Sequence, residues 1–210
     1  MAALTCVESL TGPEFEKLPQ TASTARLLAQ RYRIERALGR GGAGQTFAAF
    51  DEHEQRLVAL KCFRLKAEAG SGEQLQALFK REYAILAQFD HETMVRVYDF
   101  GLDQGVPFYT MELIDGSELS KQAPMPWRDA CRDLRDVASI LGVLHARKLL
   151  HRDLSPRNLL RVASGQLKLI DFGALASFGP SRDLVGTPPF VAPEALRAAP
   201  LDQRSDLYAL

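Results

Sequence analysis

The sequence predicts an α+β fold in two parts, a small sheet-based lobe followed by a mainly helical one. Three observations carry that prediction. From Tyr32 onward apolar residues alternate in short runs, as strands require. One helical stretch interrupts those runs, with Leu75, Leu78, Phe79, Glu82, Ile85, Leu86 and Phe89 at helical spacing. In the second half, Ala130, Leu134, Val137, Ala138, Leu141 and Leu144 form an apolar helical stripe.

Taken in order, residues 1–30 contain Gly12, Pro13 and Pro19 and little periodicity, which reads as a poorly ordered leader with a short helix around Thr24 to Arg31. Residues 31–116 form the sheet lobe. Tyr32, Ile34 and Leu38 open a strand, a glycine cluster follows, and Thr46 to Phe50 and Leu57 to Phe63 give two more strands. After the helix, strands are predicted over Met94 to Phe100 and Val106 to Leu113, running into a turn at Asp115-Gly116 that marks the boundary. Residues 117–210 form the second lobe: the striped helix, a hairpin around Ser164-Gly165, and a Gly/Pro-rich loop reaching Pro193.

Composition narrows the function classes. The chain has 210 residues, 46% hydrophobic and 25% charged, with zero formal net charge. That is ordinary globular composition and carries no electrostatic footprint for nucleic acid or acidic membrane. Three cysteines, Cys6, Cys62 and Cys131, lack metal-ligand spacing and suit a reducing compartment. No signal peptide opens the chain and no run approaches the roughly 20 apolar residues of a membrane span, so the expected location is cytoplasmic.

The chemistry concentrates in a few strings. Gly39-Arg40-Gly41-Gly42-Ala43-Gly44 lies between two strand-like runs, where it serves equally as a flexible hairpin or as a backbone cradle for phosphate. Lys61 sits in the apolar strand Val58-Ala59-Leu60-Lys61, and Glu82 lies on the apolar stripe of the following helix. Either they pair or both reach solvent along their aliphatic stems. Beside Lys61, Cys62 is expected to point to the opposite face of its strand. His151-Arg152-Asp153-Leu154-Ser155-Pro156-Arg157-Asn158 and Asp171-Phe172-Gly173 place hard oxygen donors suited to magnesium and a proton acceptor for a hydroxyl. Gly186-Thr187-Pro188-Pro189-Phe190 and Ala192-Pro193-Glu194 complete the set.

In this order the strings resemble the protein-kinase signature of glycine loop, strand lysine, catalytic loop, D-F-G and A-P-E. The resemblance runs from about Tyr32 to Leu210 and looks like the eukaryotic-type Ser/Thr kinases of bacteria. It implies a two-lobed kinase fold, ATP and Mg2+ as cofactors, and a protein substrate. Lys61 would hold the α- and β-phosphates and pair with Glu82, and Asp153 would receive the substrate proton. Asn158 and Asp171 would bind magnesium. Gly39, Gly41 and Gly44 would cover the phosphates, with Thr46 over the adenine. Ala59 and Leu160 would sandwich the base, the backbones of Glu112 and Ile114 would read it beside the gatekeeper Met111, and Glu118 would meet the ribose. Leu86, Val97, His151 and Phe172 match the family's hydrophobic spine.

The sequence departs from the family in three places. Ser155 stands where a lysine usually touches the transferring phosphate, and Arg157 either compensates or is simply solvent-exposed. Thr46 replaces the usual valine. Asp206 to Leu210 looks like the start of the family's central C-lobe helix, which implies a truncated lobe: either a fragment of a longer kinase, the favoured reading and one that leaves room for additional domains, or a truncated product. On the same resemblance, Glu194 lacks its usual arginine partner. Arg152 implies an activation loop ordered by phosphate, with Ser177 and Ser181 either as its acceptors or as unmodified loop serines, and Thr187 ordering the substrate pocket. Two other functions stay open: a pseudokinase that binds nucleotide or partners without turnover, and a small-molecule kinase.

Overall fold

The computed structural model describes residues 27–41, 44–63, 80, 83–181 and 184–210. These fall into two compact units, one containing the described residues up to 88 together with 96–113, the other 89–95 with 114–210.

Strands β1 (Leu27–Leu28), β2 (Tyr32–Gly41), β3 (Gly44–Asp51), β4 (Arg56–Phe63), β5 (Val97–Asp103) and β6 (Val106–Glu112) build the first unit. They form one sheet in the order β1-β2-β3-β4-β6-β5, with antiparallel pairing throughout. Period-two alternation explains the core. Phe47 and Ala49 of β3, Val58, Leu60 and Cys62 of β4, and Val106 and Phe108 of β6 share one buried cluster with Leu28 and Tyr32. Lys61 points the other way, so Cys62 does face away from it.

The chain start corrects one expectation. Leu27 and Leu28 pair with Arg33 and Tyr32, and the chain reverses through Ala29 and Gln30 at φ 51° and 57°, so the described part of the expected helix is a strand and turn. Tertiary contacts override helix propensity here. Leu28 is buried against the core, and Arg31 is held by Asp51 through Nε to Oδ1 and Nη2 to Oδ2, both at 2.7 Å. Asp51 is 1% exposed and also accepts the amides of His53 and Glu54 at 3.0 and 3.2 Å. Burial alone would raise its pKa; the Arg31 guanidinium and the two amides outweigh burial and hold the carboxyl below its ordinary value. Of the helix expected over Leu75 to Phe89, Lys80 and 83–86 are described and helical, while 64–79 and Glu82 lie outside the described residues. Tyr83 fixes this segment to β5, its hydroxyl donating to the Tyr98 carbonyl at 2.6 Å.

The second unit contains β7 (Gly116–Glu118), a short 3-10 turn (Leu119–Lys121), α1 (Trp127–Ala146), β8 (Leu149–Leu150), β9 (Leu159–Val162), β10 (Leu167–Leu169), β11 (Ala176–Ser177), α2 (Pro193–Leu196) and α3 (Gln203–Tyr208). Strands β10, β9 and β7 form one small sheet, and β11 pairs with β8. Gly116 therefore starts a strand instead of a turn, and it lies so close to β9 that a Cβ there would meet the Arg161 carbonyl at 2.8 Å. Met94 and Val95, expected at the start of a strand in the first lobe, belong here: Val95 donates to the Leu169 carbonyl at 3.0 Å, and Leu169 donates to the Thr93 carbonyl at 2.7 Å. Both side chains are buried in this unit, and β5 begins only at Val97.

Helix α1 buries Asp133, Val137, Ile140, Leu141 and Leu144, whereas Leu134 and Ala138 of the expected stripe are exposed. The helix is rotated because Asp133 has a partner: Arg161 of β9 bonds its carboxylate and also donates Nε to Gln122 Oε1 at 2.7 Å. A paired carboxylate can occupy a core-facing position that an unpaired one cannot.

Replacing Arg31 with alanine strands the buried Asp51 carboxylate. We expect Arg31→Ala to lower unfolding free energy by about 2–3 kcal/mol in urea titration, with an unchanged m-value. A loss within error of zero would mean that the two amides alone suffice for Asp51.

Candidate active site

In the second unit, the residues between β8 and β9 form a loop organised around Asp153. Thr187 donates its hydroxyl to Asp153 Oδ1 at 2.7 Å. Asn158 donates Nδ2 to the Asp153 carbonyl at 2.8 Å and to Oδ2 at 3.2 Å. Both carboxylate oxygens are thus oriented by side chains. Ile170 donates its amide to the Asn158 carbonyl at 3.0 Å, placing Asp171 one residue beyond that bond, and Asp171 Oδ1 accepts the Gly173 amide at 3.0 Å.

The loop itself is held from α3. Asp206, 1% exposed, accepts the backbone amides of His151 and Arg152, each at 2.9 Å, on Oδ2 and Oδ1 respectively. Arg152 has φ 68°, a conformation a non-glycine residue adopts only when its surroundings impose it. Gly186 packs against this peptide, and a Cβ there would lie 2.9 Å from the Arg152 carbonyl. Its own φ of 125° also requires glycine. That glycine brings the following Thr187 within reach of Asp153.

Beneath the loop, His151 is fully buried and meets the Phe172 ring edge-on at 5.2 Å between centroids. Burial pushes the His151 imidazole below its ordinary pKa of 6.5, against the opposing pull of Asp206, Asp171 and Asp153.

The remaining expected residues fall as follows. Arg157 is exposed. Glu118 and Leu160 are register partners between β7 and β9. The Glu118 carboxylate already takes Lys121 Nζ at 2.7 Å and Ser120 Oγ at 3.0 Å, and Lys121 chiefly holds its pKa down. Ile114 precedes β7. Ser155 is 2% exposed, and its hydroxyl has no hydrogen-bond partner among the described residues. It shares an apolar cleft with Leu119, Val137, Leu159 and Phe190. Glu194 accepts Ser205 Oγ at 2.7 Å, a hydroxyl in place of the arginine of the family pattern.

In the first unit, the glycine segment closes the β2–β3 hairpin, with Gly41 opposite Gly44 and Gly39 opposite Thr46. A strand follows the glycines, as the hairpin reading requires. Thr46 in turn faces Lys61 across β3 and β4, and Ala59 faces Met111 across β4 and β6. Lys61 is 5% exposed and its Nζ lies 6.0 Å from the centre of the Tyr109 ring. Glu112 donates its amide to the Arg96 carbonyl at 2.8 Å. Glu82, the expected partner of Lys61, lies outside the described residues.

Comparison with known proteins agrees with this geometry. The family model described as "protein kinase domain" matches residues 32–210. The chain belongs to the protein kinase family. This kinase chain is 34% identical over 193 residues to the serine/threonine-protein kinase PknL of Mycobacterium bovis, covering 88% of the chain and 48% of that protein. It is 34% identical over 204 residues to the serine/threonine-protein kinase pkn2 of Myxococcus xanthus, covering 90% and 24%. Against the serine/threonine-protein kinase PknD of Chlamydia caviae it is 32% identical over 218 residues, covering 86% and 23%. The chain spans about half, or less, of the length of these relatives. The kinase fold, with a sheet-built first lobe and a second lobe carrying the catalytic loop, is therefore the fold of this chain. Among the described residues no helix is long and apolar enough to cross a membrane.

Sequence reading passed over Asp206 as a site residue. The available signal for Asp206 was a carboxylate beside the apolar run Leu207-Tyr208-Ala209-Leu210 in a helix start, where an unpaired charge would be costly.

The His151 environment predicts a pH dependence. The folded state keeps the imidazole neutral below pH 6.5, while the unfolded chain takes up a proton there. Stability from this group is complete above the unfolded value and is lost as pH falls through 6.5 toward the lower folded value. Urea midpoints at pH 7.5 and 5.5 should therefore differ more in the native sequence than in His151→Phe. Equal differences would refute the assignment.

Proposed function

We propose that this kinase binds Mg-ATP and transfers its γ-phosphate to Ser or Thr hydroxyls of a protein substrate. The observation that carries the reading is the Asp153 carboxylate, oriented on one oxygen by Thr187 and on the other by Asn158. A carboxylate so fixed is suited to receive the proton of an incoming hydroxyl. As that hydroxyl oxygen bonds to the γ-phosphorus, the bond from phosphorus to the β,γ-bridging oxygen breaks, and ADP leaves. The names of the relatives support serine and threonine as acceptors.

Asn158 and Asp171 fit magnesium by donor chemistry. Because Asn158 Nδ2 is committed to Asp153, its Oδ1 is the atom left to ligate, and Asp171 offers a carboxylate; both are hard oxygens. Magnesium bound there would neutralise phosphate charge. Lys61, on the face of β4 opposite the core, is suited to the α- and β-phosphates, with Thr46 and the glycine hairpin beside it in register. Gly39, Gly41, Gly44, Ala59, Glu112, Ile114, Glu118 and Leu160 complete the proposed nucleotide contacts. Arg157, exposed on the loop, is proposed to supply the charge that Ser155 cannot, since a serine hydroxyl carries none. The relatives, all named as kinases, give no support to a nucleotide-binding module without turnover.

Transfer of labelled phosphate from Mg-ATP to a generic protein acceptor tests the reading. Asp153→Asn should reduce turnover by about 10²-fold or more with nucleotide still bound. Undiminished transfer in that variant would overturn the role of Asp153. Thr187→Val should cost about tenfold and Thr187→Ser much less, since serine keeps the hydroxyl. Arg157→Ala should likewise lower turnover about tenfold, and unchanged turnover would return Arg157 to the solvent-exposed reading.

A further inference from the structure

A rim of charge beside the catalytic loop is not used by the transfer chemistry. The 3-10 turn over Leu119–Lys121 is pinned to the loop, Ser120 donating its amide to the Pro156 carbonyl at 3.1 Å. On the other side of Lys121, Gln122 is fixed by Arg161, whose Nε donates to its Oε1 at 2.7 Å. Lys121 lies between these two anchors, with its side chain 68% exposed. Its Nζ donates to Glu118 Oε1 at 2.7 Å, and Ser120 Oγ donates to Oε2 at 3.0 Å, so both carboxylate oxygens are engaged. Lys121 is the main cause of the lowered Glu118 pKa. The positive charge of Arg157 adds to it, which sets that exposed guanidinium in the same field. Two cations and one carboxylate leave a positive charge in excess at this rim. Asp115, the other acid of the segment, lies away from it: β7 runs antiparallel to β9, with Glu118 opposite Leu160 near the loop and Gly116 opposite Val162.

We propose that Lys121 is a specificity-determining residue and that, with Arg157, it selects protein substrates carrying an acidic side chain near the hydroxyl to be phosphorylated. The inference rests on the proposed role of Asp153. Lys121 acts in two ways. An ammonium has three protons and Glu118 takes one, so the others remain for a carboxylate arriving from solvent. The same bond neutralises Glu118, which alone would draw a basic residue to this place. Reach follows from chain geometry. Pro156 is three residues after Asp153, a span of at most about 10–11 Å, and an extended peptide advances about 3.3 Å per residue. An acid about two to four positions from the acceptor therefore reaches the rim. A rim of two exposed cations is too small to hold a polyanion, and the whole chain has zero formal net charge, so a nucleic acid does not fit this surface. Exposed charges interact through a high dielectric, so the discrimination is modest and fades with salt.

The test uses the full chain and serine peptides with a single variable position, filled by Glu, Gln or Lys and scanned along either side of the acceptor. At the best position kcat/KM should fall about five- to tenfold from the Glu to the Lys peptide at low ionic strength, chiefly through peptide KM, and the ratio should shrink at high salt. Lys121→Gln should bring the ratio to about two, and Lys121→Glu should invert it. Because Lys121 is exposed, its replacement leaves the fold intact. A merely structural lysine would change all three peptides alike. Equal kcat/KM for the three at every position, or a ratio that survives Lys121→Glu, would overturn the proposal. So would a raised KM for ATP in Lys121→Gln that lowers every peptide equally, since that result assigns the lysine to the nucleotide. If the native chain transfers phosphate to no peptide, the function reading fails and binding decides the inference. By fluorescence anisotropy the Glu peptide should then bind more tightly than the Lys peptide, and Lys121→Glu should abolish the difference. Equal affinities in the native chain would refute the acidic preference whatever the activity.

Discussion

The second unit depends on a buried negative charge being fully satisfied. Asp206 lies on α3, and its carboxylate is removed from water. The carboxylate binds the His151 and Arg152 amides and the His145 ring, and those bonds fasten α3 to the loop and to the end of α1 at once. A charge that would be costly alone becomes the point through which three segments share one geometry. The catalytic loop contains little regular secondary structure, so its shape must be imposed from outside. Asp206 imposes it from one side, and Gly186, packed against the Arg152 carbonyl, imposes it from the other.

The same device recurs elsewhere in the chain. Asp51 is held by Arg31 in the first unit and Asp133 by Arg161 in the second, and each of these carboxylates is nearly inaccessible. In all three cases the partner comes from a different element, so the pair fixes how two segments meet. A hydrophobic residue of similar size would pack as well and would tolerate several arrangements; an acid with one basic partner tolerates one. Arg31 holds the entry to β2 against the turn after β3. Arg161 sets the rotation of α1, and with it which residues of that helix face the core.

Much of this was legible in the sequence. The strands of the first unit follow from short apolar runs, and alternation along β4 sends Val58, Leu60 and Cys62 to the core cluster and Lys61 to the other face. The strand after the glycines was read from residue pattern, and the catalytic-loop motif from its resemblance to the protein-kinase signature. Partnership across the chain was less accessible. The stripe on α1 was read from hydropathy, which counts Leu134 as core and Asp133 as surface; Arg161 reverses both. Met94 and Val95 look like the start of a strand because they are apolar and adjacent to one, but they pair with Leu169, a long-range bond that local pattern cannot show. Leu27 and Leu28 form a strand for the same kind of reason. Asp206 read as the beginning of a helix, and only the folded chain brings it against amides more than fifty residues away.

The alternation along β4 has a consequence for how this protein can vary. Val58, Leu60 and Cys62 lie in the core, and the residues between them include the lysine on which nucleotide chemistry would depend. Substitution at a core position changes a volume, and neighbouring side chains can adjust to it. Gain or loss of one residue within the strand is different in kind: every side chain beyond that point would exchange faces, driving the ammonium into the hydrocarbon and the valine, leucine or cysteine out of it. Length is therefore the constrained quantity of this strand, more than composition, and variation in chain length is tolerable outside it, as in the turn over residues 52–55 that precedes it.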